Sequence, residues 1–286
     1  MTRRRIDVHH HAIPAPYAQW LRAKGVADAS GRALPEWSPE SSLAVMDANG
    51  IATAILSVSA PGVHVDPEKR DDAEGRAMAR TVNEILAETA RVHPDRIGFY
   101  ATLPMPDVEG AIAEARHAFD VLGADGVILL ANALGRYLGD PEDEPLFEEL
   151  ARRNAVVLVH PTMLPGPPAE GIPPFAADFL LDTTRAAYRL VRAGVVRRHP
   201  NLKIILSHAG GFVPYASHRL MLPLIFEGGG RTPADLLEDF QSFYFDTALS
   251  GSAAALPSLL AFAKPGRVLF GSDHPFAPPP VIERSR

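Results

Sequence analysis

Two histidines near the start of the sequence, His9 and His11, have the spacing of metal ligands on a β-strand. Residues two apart on a strand point to one face, so both rings would face the same cavity and His10 the opposite side. Two imidazoles in one cavity repel each other when both are protonated, and a divalent cation removes that conflict by binding both as neutral ligands. The alternative is a run of solvated histidines, so this motif needs partners elsewhere in the chain.

Three further ionisable residues follow apolar segments: His160 in Val-Leu-Val-His-Pro, His208 in Ile-Leu-Ser-His-Ala-Gly-Gly, and Asp273 in Gly-Ser-Asp-His-Pro. The structural alternatives are a hydrogen-bonded core histidine for His160 and a turn cap for Asp273. The joint pattern favours a metal site with three nitrogen ligands, one oxygen ligand and positions left for water or substrate. Its ligands would be His9, His11, His160 and Asp273.

His208 is interpreted as a general acid–base group or as an orienting group for metal-bound water, because Gly210 and Gly211 beside it allow close approach of a substrate. The alternative is a hydrogen bond that holds a metal ligand in place. Asp246, in Tyr-Phe-Asp-Thr, is interpreted as such a supporting or structural residue.

Eight short apolar segments alternate with helical patterns and predict a parallel sheet. Most are continuously apolar, as expected for strands buried on both faces. The pattern favours a (β/α)8 TIM barrel over an open doubly wound sheet, and it puts the candidate site residues at the carboxyl ends of strands, where barrel active sites lie. The strands are predicted at residues 6–8, 52–58, 97–103, 126–130, 156–159, 203–206, 243–245 and 267–270.

No linker or repeat divides the chain, so we expect a single barrel domain over residues 1–286. The Pro/Gly-rich segment 164–174 directly follows a strand and is interpreted as an active-site loop. Few residues follow the eighth strand, so the closing helix is expected to be missing or replaced by a partner. Helices are predicted at residues 38–50, 78–89, 107–122, 143–154, 175–198, 213–226 and 253–263.

Composition excludes several classes of protein. With 28 basic and 34 acidic residues, the net charge of −6 offers no basic field for nucleic acid or anionic lipid. The absence of cysteine excludes disulfides, iron–sulfur clusters and thiol nucleophiles. No segment approaches the roughly 18 apolar residues of a membrane span. The basic start, Met-Thr-Arg-Arg-Arg, lacks the apolar segment of a signal peptide after it, so we expect a cytoplasmic protein.

Taken together, these motifs resemble the amidohydrolase-related metal-dependent decarboxylases of the aminocarboxymuconate semialdehyde decarboxylase type. They occur in the family's order over nearly the whole chain. The segments WSPESSL (37–43), ILSVSAPG (55–62) and VHPT (159–162) are most similar to the 6-methylsalicylate decarboxylase branch. The family motifs are IDVHHHAIP (6–14), VHP (159–161), SHAGG (207–211) and GSDHPF (271–276).

The resemblance implies a role for each matching residue. Asp273 matches a metal ligand that also takes part in proton transfer, and His208 matches the histidine beside the metal-bound water. The family's metal ligands correspond to His9, His11, His160 and Asp273.

Arg219, eleven residues after His208, matches an arginine that reaches the neighbouring subunit's site and holds the substrate carboxylate. The resemblance therefore implies a homodimer or a higher homo-oligomer, and the alternative for Arg219 is a solvated helix charge. A second substrate-binding arginine of the semialdehyde decarboxylase, expected near the start of the first barrel helix, is absent from Pro39–Leu43. Fewer fixed cations favour an aromatic mono-acid over a dicarboxylate as substrate.

The function predicted from these features is metal-dependent, non-oxidative decarboxylation of an ortho-hydroxy aromatic acid of the salicylate type. Direct loss of CO2 would leave an aryl carbanion that cannot delocalise, so Asp273, assisted by His208, would protonate the ring carbon first. One divalent ion, zinc by its donor set with manganese as the alternative, would bind the phenolate and carboxylate oxygens. Phe276 would contribute to an apolar wall against the ring.

Two other functions remain open on the sequence. The same site could hydrolyse a lactone or amide with a metal-activated water, and measuring CO2 release against ring opening separates this hydrolase from a decarboxylase. A non-enzymatic ligand-binding barrel is the third hypothesis, and a purified protein without divalent metal would favour it.

Overall fold

A computed structural model describes residues 5–29, 31–65 and 73–284. The eight predicted strands are confirmed, with shifted ends, and they form one parallel sheet in sequence order. Met1–Arg4, on which the prediction of cellular location partly rests, lie outside the described residues. The strands are β1 (Arg5–His11), β2 (Ile51–Ser57), β3 (Ile97–Thr102), β4 (Gly126–Leu130), β5 (Val156–His160), β6 (Lys203–Leu206), β7 (Tyr244–Asp246) and β8 (Val268–Leu269).

The sheet closes into a barrel where β8 and the segment after it meet β1. The amide of Val8 donates to the Phe270 carbonyl at 3.0 Å, and the amide of Asp273 donates to the His9 carbonyl at 2.8 Å. Only single bridges join the two strands along this seam. The predicted (β/α)8 barrel is therefore confirmed, and the open sheet is excluded.

The helices surround the barrel, and the sequence predicted most of them. The helix over 38–50 begins with a capping box between Ser38 and Ser41 and ends at Gly50, whose φ of +63° suits glycine. The segment 107–122 continues from an α-helix into a π-helical turn over Ala118–Leu122. The helices are α1 (Ala15–Ala23), α2 (Pro39–Asn49), α3 (Ala73–Val92), α4 (Val108–His117), α5 (Glu144–Arg152), α6 (Pro174–Arg192), α7 (Val195–Arg198), α8 (Val213–Phe226), α9 (Pro233–Gln241), α10 (Ala255–Phe262) and α11 (Pro279–Arg284).

Three helices were not predicted. α1 and α9 are nine residues each, too short for a clear apolar period. The C-terminal segment forms α11, which contacts α2 and buries Ile282 completely. A short helix thus follows β8, where we predicted none, while the single domain over 1–286 stays a prediction.

Apolar side chains fill both sides of the sheet. Inside the barrel, Val8, Tyr100, Ile128, Leu158 and Ile205 form one buried cluster, and a larger cluster lies between the strands and the helices. Burial on both faces explains why the strands read as continuous apolar runs. Across the described ranges, no helix combines the length and apolar character needed to cross a membrane.

Candidate metal centre

The structure brings the four predicted ligands together at the carboxyl end of the barrel. His9 and His11 end β1, His160 ends β5, and Asp273 follows β8. One donor atom from each lies within 4.8 Å of the others, and all four side chains are buried. The Nε2 atoms of His9 and His11 are 2.9 Å apart, and Asp273 Oδ1 lies 3.4 Å and 3.2 Å from them.

Each of the three histidines presents Nε2 to this common point because its Nδ1 is hydrogen-bonded elsewhere. Two nitrogens that each lie about 2.0–2.1 Å from one ion are roughly 3 Å apart, so the separation of the His9 and His11 nitrogens suits a shared divalent ion. The residues therefore fit such an ion. The Nδ1 distances are 2.7 Å from His9 to Asp246 Oδ2, 3.1 Å from His11 to Ser57 Oγ, and 2.7 Å from His160 to the Pro161 carbonyl oxygen.

Burial and neighbouring charges set the protonation of the site. Burial lowers the pKa of His11, and burial together with the charge of His11 lowers the pKa of His160 well below its usual value. Burial would raise the pKa of Asp273, but the imidazoles of His11 and His9 beside it hold that pKa well below the usual range. Two neutral imidazoles and an ionised carboxylate are the forms that bind metal.

His9 differs from the other histidines because Asp246 lies against it. Burial lowers the pKa of His9, but the charge and hydrogen bond of Asp246 outweigh this and raise it to about 10. Asp246 also accepts hydrogen bonds from the amides of His208 at 2.9 Å and Ala248 at 3.0 Å. This fully buried carboxylate therefore supports both a ligand and the segment that carries His208, as inferred from the sequence.

His208 lies beside the ligands on strained backbone. Its φ of +56° and that of Ala209, +57°, fall in the left-handed region that favours glycine. The His208 ring centroid is 5.0 Å from that of His9, and burial lowers its pKa. Within the described part of the chain, its buried Nδ1 has no hydrogen-bond partner. His208 is therefore a neutral imidazole with one nitrogen available to a bound molecule.

A small pocket of about 40 Å³ opens onto His160, His208 and Asp273. Aromatic rings form much of its wall, and the predicted residue Phe276 is among them, with its ring centroid 5.6 Å from that of His11. The pocket is mainly apolar except for His160, His208 and Asp273, one serine and one arginine. The rest of its lining consists of Ala29, Arg32, Ser59, Ala60, Phe175, Phe179 and Leu249.

A larger cavity of about 490 Å³ lies at the other half of the barrel mouth. The loops after β2, β4 and β5 line it, and the Pro/Gly-rich segment contributes Leu164, Pro165 and Gly166. None of the four grouped side chains borders it. The segment interpreted as an active-site loop therefore borders this neighbouring cavity, whereas Phe175 and Phe179, on the helix that follows it, line the pocket.

The arginine in the pocket, Arg32, was missed by sequence reasoning. It lies in a short antiparallel hairpin between α1 and α2, and its Cζ is 5.8 Å from the centroid of the Phe175 ring. The absence of an arginine from Pro39–Leu43 predicts fewer cations at the site, whereas the hairpin supplies one from another segment. The turn signal around Gly31 could have predicted the hairpin, but not its position over the barrel mouth.

Arg219 does not border the pocket of its own chain. It lies on the exposed face of α8, between exposed apolar side chains. The role in a neighbouring subunit that the resemblance implied therefore stays a prediction.

Comparison with known proteins places the chain in a family. The amidohydrolase family model matches residues 6–283. A decarboxylase of Aspergillus niger, yanB, is 40% identical over 299 residues, which cover 98% of this chain and 79% of that protein. The 6-methylsalicylic acid decarboxylase of Penicillium expansum is 39% identical over 291 residues, covering 98% of this chain and 87% of the relative.

The fold agrees with this relationship. A crystal structure described as an amidohydrolase II, structural genomics target LpR24, superposes with a TM-score of 0.90 at 30% identity, covering 98% of this chain and 90% of the other. The chain therefore belongs to the amidohydrolase family.

Proposed function

We propose that this protein is a metal-dependent, non-oxidative decarboxylase of an ortho-hydroxy aromatic carboxylic acid of the salicylate type. The observation that carries the proposal is the grouping of His9, His11, His160 and Asp273 at the floor of a pocket with aromatic walls. The chain is 39% identical to a 6-methylsalicylic acid decarboxylase over an alignment that covers 98% of it, and this similarity supports the same reaction class.

The ion is proposed to be zinc, because three imidazoles and one carboxylate are a common zinc donor set, with manganese as the alternative. When bound, it supplies a Lewis acid for the phenolate and carboxylate oxygens of the substrate. The metal ligands are proposed to be His9, His11, His160 and Asp273. Quantifying zinc and manganese in the purified protein tests this assignment.

Asp273 is proposed to carry the proton to the ring carbon. Because its carboxyl is ionised, it first accepts the proton of the substrate's ortho-hydroxyl and then donates it to the carbon that bears the carboxylate. The carbon–carbon bond then breaks, CO2 leaves, and the electron pair restores the aromatic ring as a phenolate, which takes a proton from solvent. His208 is neutral and has Nδ1 available, so it assists by holding the hydroxyl or carboxylate during the transfer.

The pocket walls are proposed to select the substrate. Phe276, Phe175 and Phe179 enclose a flat ring. Among the residues that the structure describes, Arg32 makes no ion pair, so its guanidinium is available for the substrate's carboxylate. One cation and one metal site match one carboxylate and one hydroxyl, which agrees with an aromatic mono-acid.

A homodimer or higher homo-oligomer is part of the proposal. Four exposed apolar side chains and Arg219 lie three or four residues apart along α8 and its N-cap residue, so they form one stripe. Tyr215 and Phe226 are 88% and 81% exposed. Large exposed apolar patches commonly mark protein interfaces, and packing of a second copy here would carry Arg219 toward it. The stripe consists of Phe212, Tyr215, Arg219, Leu222 and Phe226.

A substrate panel tests the reaction. Metal-loaded protein is incubated with ortho-hydroxybenzoates and, separately, with aryl lactones, and CO2 release and ring opening are measured. We expect CO2 only from acids that carry an ortho-hydroxyl, with the meta-hydroxy isomers as matched controls. Ring opening without CO2 release would instead identify the hydrolase.

The cytoplasmic location stays a prediction.

A further inference from the structure

The barrel seam is irregular beside the metal centre. The register of β1 against β2 shifts between Asp7 and His10, and β1 meets the last strand segment only through single bridges, Asp7 to Phe270 and His10 to His274. A shift of this kind leaves backbone groups without partners in the sheet. The irregular stretch includes the ligand His9, so another group must fix its position.

A single carboxylate oxygen joins the two sides of this seam. Asp7 Oδ1 accepts hydrogen bonds from the amide of His9 at 3.2 Å and from the amide of Ser272 at 3.0 Å. Ser272 directly precedes Asp273, whose own amide donates to the His9 carbonyl at 2.8 Å. Asp7 is completely buried, so no water competes for these contacts. The backbones of two ligands from opposite ends of the chain are therefore held by one side chain.

The other oxygen of Asp7 is held by a chain of hydrogen bonds. Asp7 Oδ2 is 3.0 Å from His10 Nδ1, and His10 Nε2 is 3.0 Å from Ser42 Oγ. Ser42 Oγ accepts the indole N–H of Trp37 at 2.9 Å. An indole N–H can only donate, so the Ser42 hydroxyl directs its proton to His10 Nε2, and His10 in turn donates from Nδ1 to Asp7. This chain fixes the rotation of the Asp7 carboxylate.

We propose that Asp7 is a positioning residue of the metal centre, which sets the separation of His9 and Asp273 and is itself oriented by Trp37, Ser42 and His10. The inference rests on the proposed metal-dependent function. Asp7 touches neither the shared ligand point nor the pocket, so it acts through the two backbone segments alone. Its effect depends on the shape of the side chain more than on its charge.

Two substitutions at Asp7 separate shape from charge. Asp7→Asn keeps the length and one oxygen for both amides, and His10 can adjust by donating to Ser42 instead. Asp7→Glu keeps the charge but moves the carboxylate by about one C–C bond, roughly 1.5 Å. We expect Asp7→Glu to raise the dissociation constant for Mn²⁺ by at least about tenfold, and Asp7→Asn to leave it nearly unchanged.

Mn²⁺ binding is measured by electron paramagnetic resonance on metal-free protein, and the visible spectrum with Co²⁺ reports the ligand geometry. We expect the Co²⁺ spectrum to change in Asp7→Glu and to be kept in Asp7→Asn. Equal Mn²⁺ affinities for wild type and both variants, or a loss in Asp7→Asn as large as in Asp7→Glu, would overturn the inference. Wild-type protein that binds no divalent ion would refute the proposed function itself.

A milder substitution tests the orienting chain if the Glu variant does not fold. Trp37→Phe removes only the indole N–H that fixes Ser42. We expect a small rise in the Mn²⁺ dissociation constant and a changed Co²⁺ spectrum. Trp20→Phe is the matched control, because Trp20 is the other tryptophan, stacks on Tyr17 and makes none of the hydrogen bonds to Asp7, His10 or Ser42. Identical Mn²⁺ affinities and Co²⁺ spectra for the two tryptophan variants would exclude the orienting chain.

Discussion

Asp246→Asn is expected to weaken metal binding through the tautomer of His9. In the wild type, Asp246 Oδ2 accepts the Nδ1 proton of His9 at 2.7 Å, so Nε2 is the nitrogen that faces the ion and gives up its proton when the ion binds. The other oxygen accepts the amides of His208 and Ala248. In the variant, the amide oxygen keeps those two backbone contacts and turns its NH2 group toward His9. His9 must then accept at Nδ1 and carry its proton on Nε2, the atom that faces the ion.

The size of the effect follows from the bond that is lost. A hydrogen bond to a charged group contributes about 1.5–3 kcal/mol, and loss of such a support for a metal-binding histidine lowers metal affinity by about tenfold to hundredfold. We therefore expect the Mn²⁺ dissociation constant of Asp246→Asn to rise within this range, while CO2 release at saturating metal falls. If the amide flips instead, the two backbone hydrogen bonds are lost, and the expected direction is the same.

Titration of metal-free protein with Mn²⁺, followed by electron paramagnetic resonance, measures the change. Asp239→Asn is the matched control. Asp239, on α9, is also a buried carboxylate, but its Oδ1 pairs with Arg197 Nε at 2.7 Å. The control is expected to lower the melting temperature without a change in the dissociation constant. An unchanged Mn²⁺ affinity in Asp246→Asn would refute the argument that Asp246 selects the tautomer of His9.

Three further substitutions test the pocket, the assembly and the stability. Arg32→Ala is expected to raise KM for an ortho-hydroxybenzoate by about tenfold or more with metal content unchanged, and an unaltered KM would exclude Arg32 from substrate binding. Arg219→Ala is expected to raise KM or abolish turnover with metal content intact, whereas full activity in a proven monomer, measured by sedimentation, would contradict a shared site. Burial, only partly offset by Arg136, raises the pKa of Asp143 to about 6. The unfolded chain therefore loses this proton at a lower pH than the folded chain, and the free energy of unfolding falls by about 2 kcal/mol as the pH rises from about 4 to 6. Urea unfolding across this range is expected to show that decrease in the wild type but not in Asp143→Asn, and parallel profiles would refute it.

The sequence alone was sufficient for the barrel and for the four grouped side chains. Strands of a closed parallel sheet are buried on both faces, so they read as short apolar runs, and polar residues at their carboxyl ends are conspicuous. His9, His11, His160 and Asp273 each end or follow such a run, but so do His208 and Asp246, and the family resemblance identified the four as a ligand set. The short helices α1 and α9 carry too few turns for a period to be recognised, and so they were missed.

The tertiary structure alone decided which groups support and complete the site. Arg32 reaches the pocket because a hairpin folds over the barrel mouth. No local sequence pattern predicts where that hairpin packs. Asp7 and Ser272 are 265 residues apart and meet only because the last strand closes on the first. His10 points away from His9 and His11, as its strand position predicted, but it is buried against Asp7, Ser42 and the ring of His274. Periodicity records which face of an element is buried, whereas contacts between distant segments depend on the closure of the whole barrel.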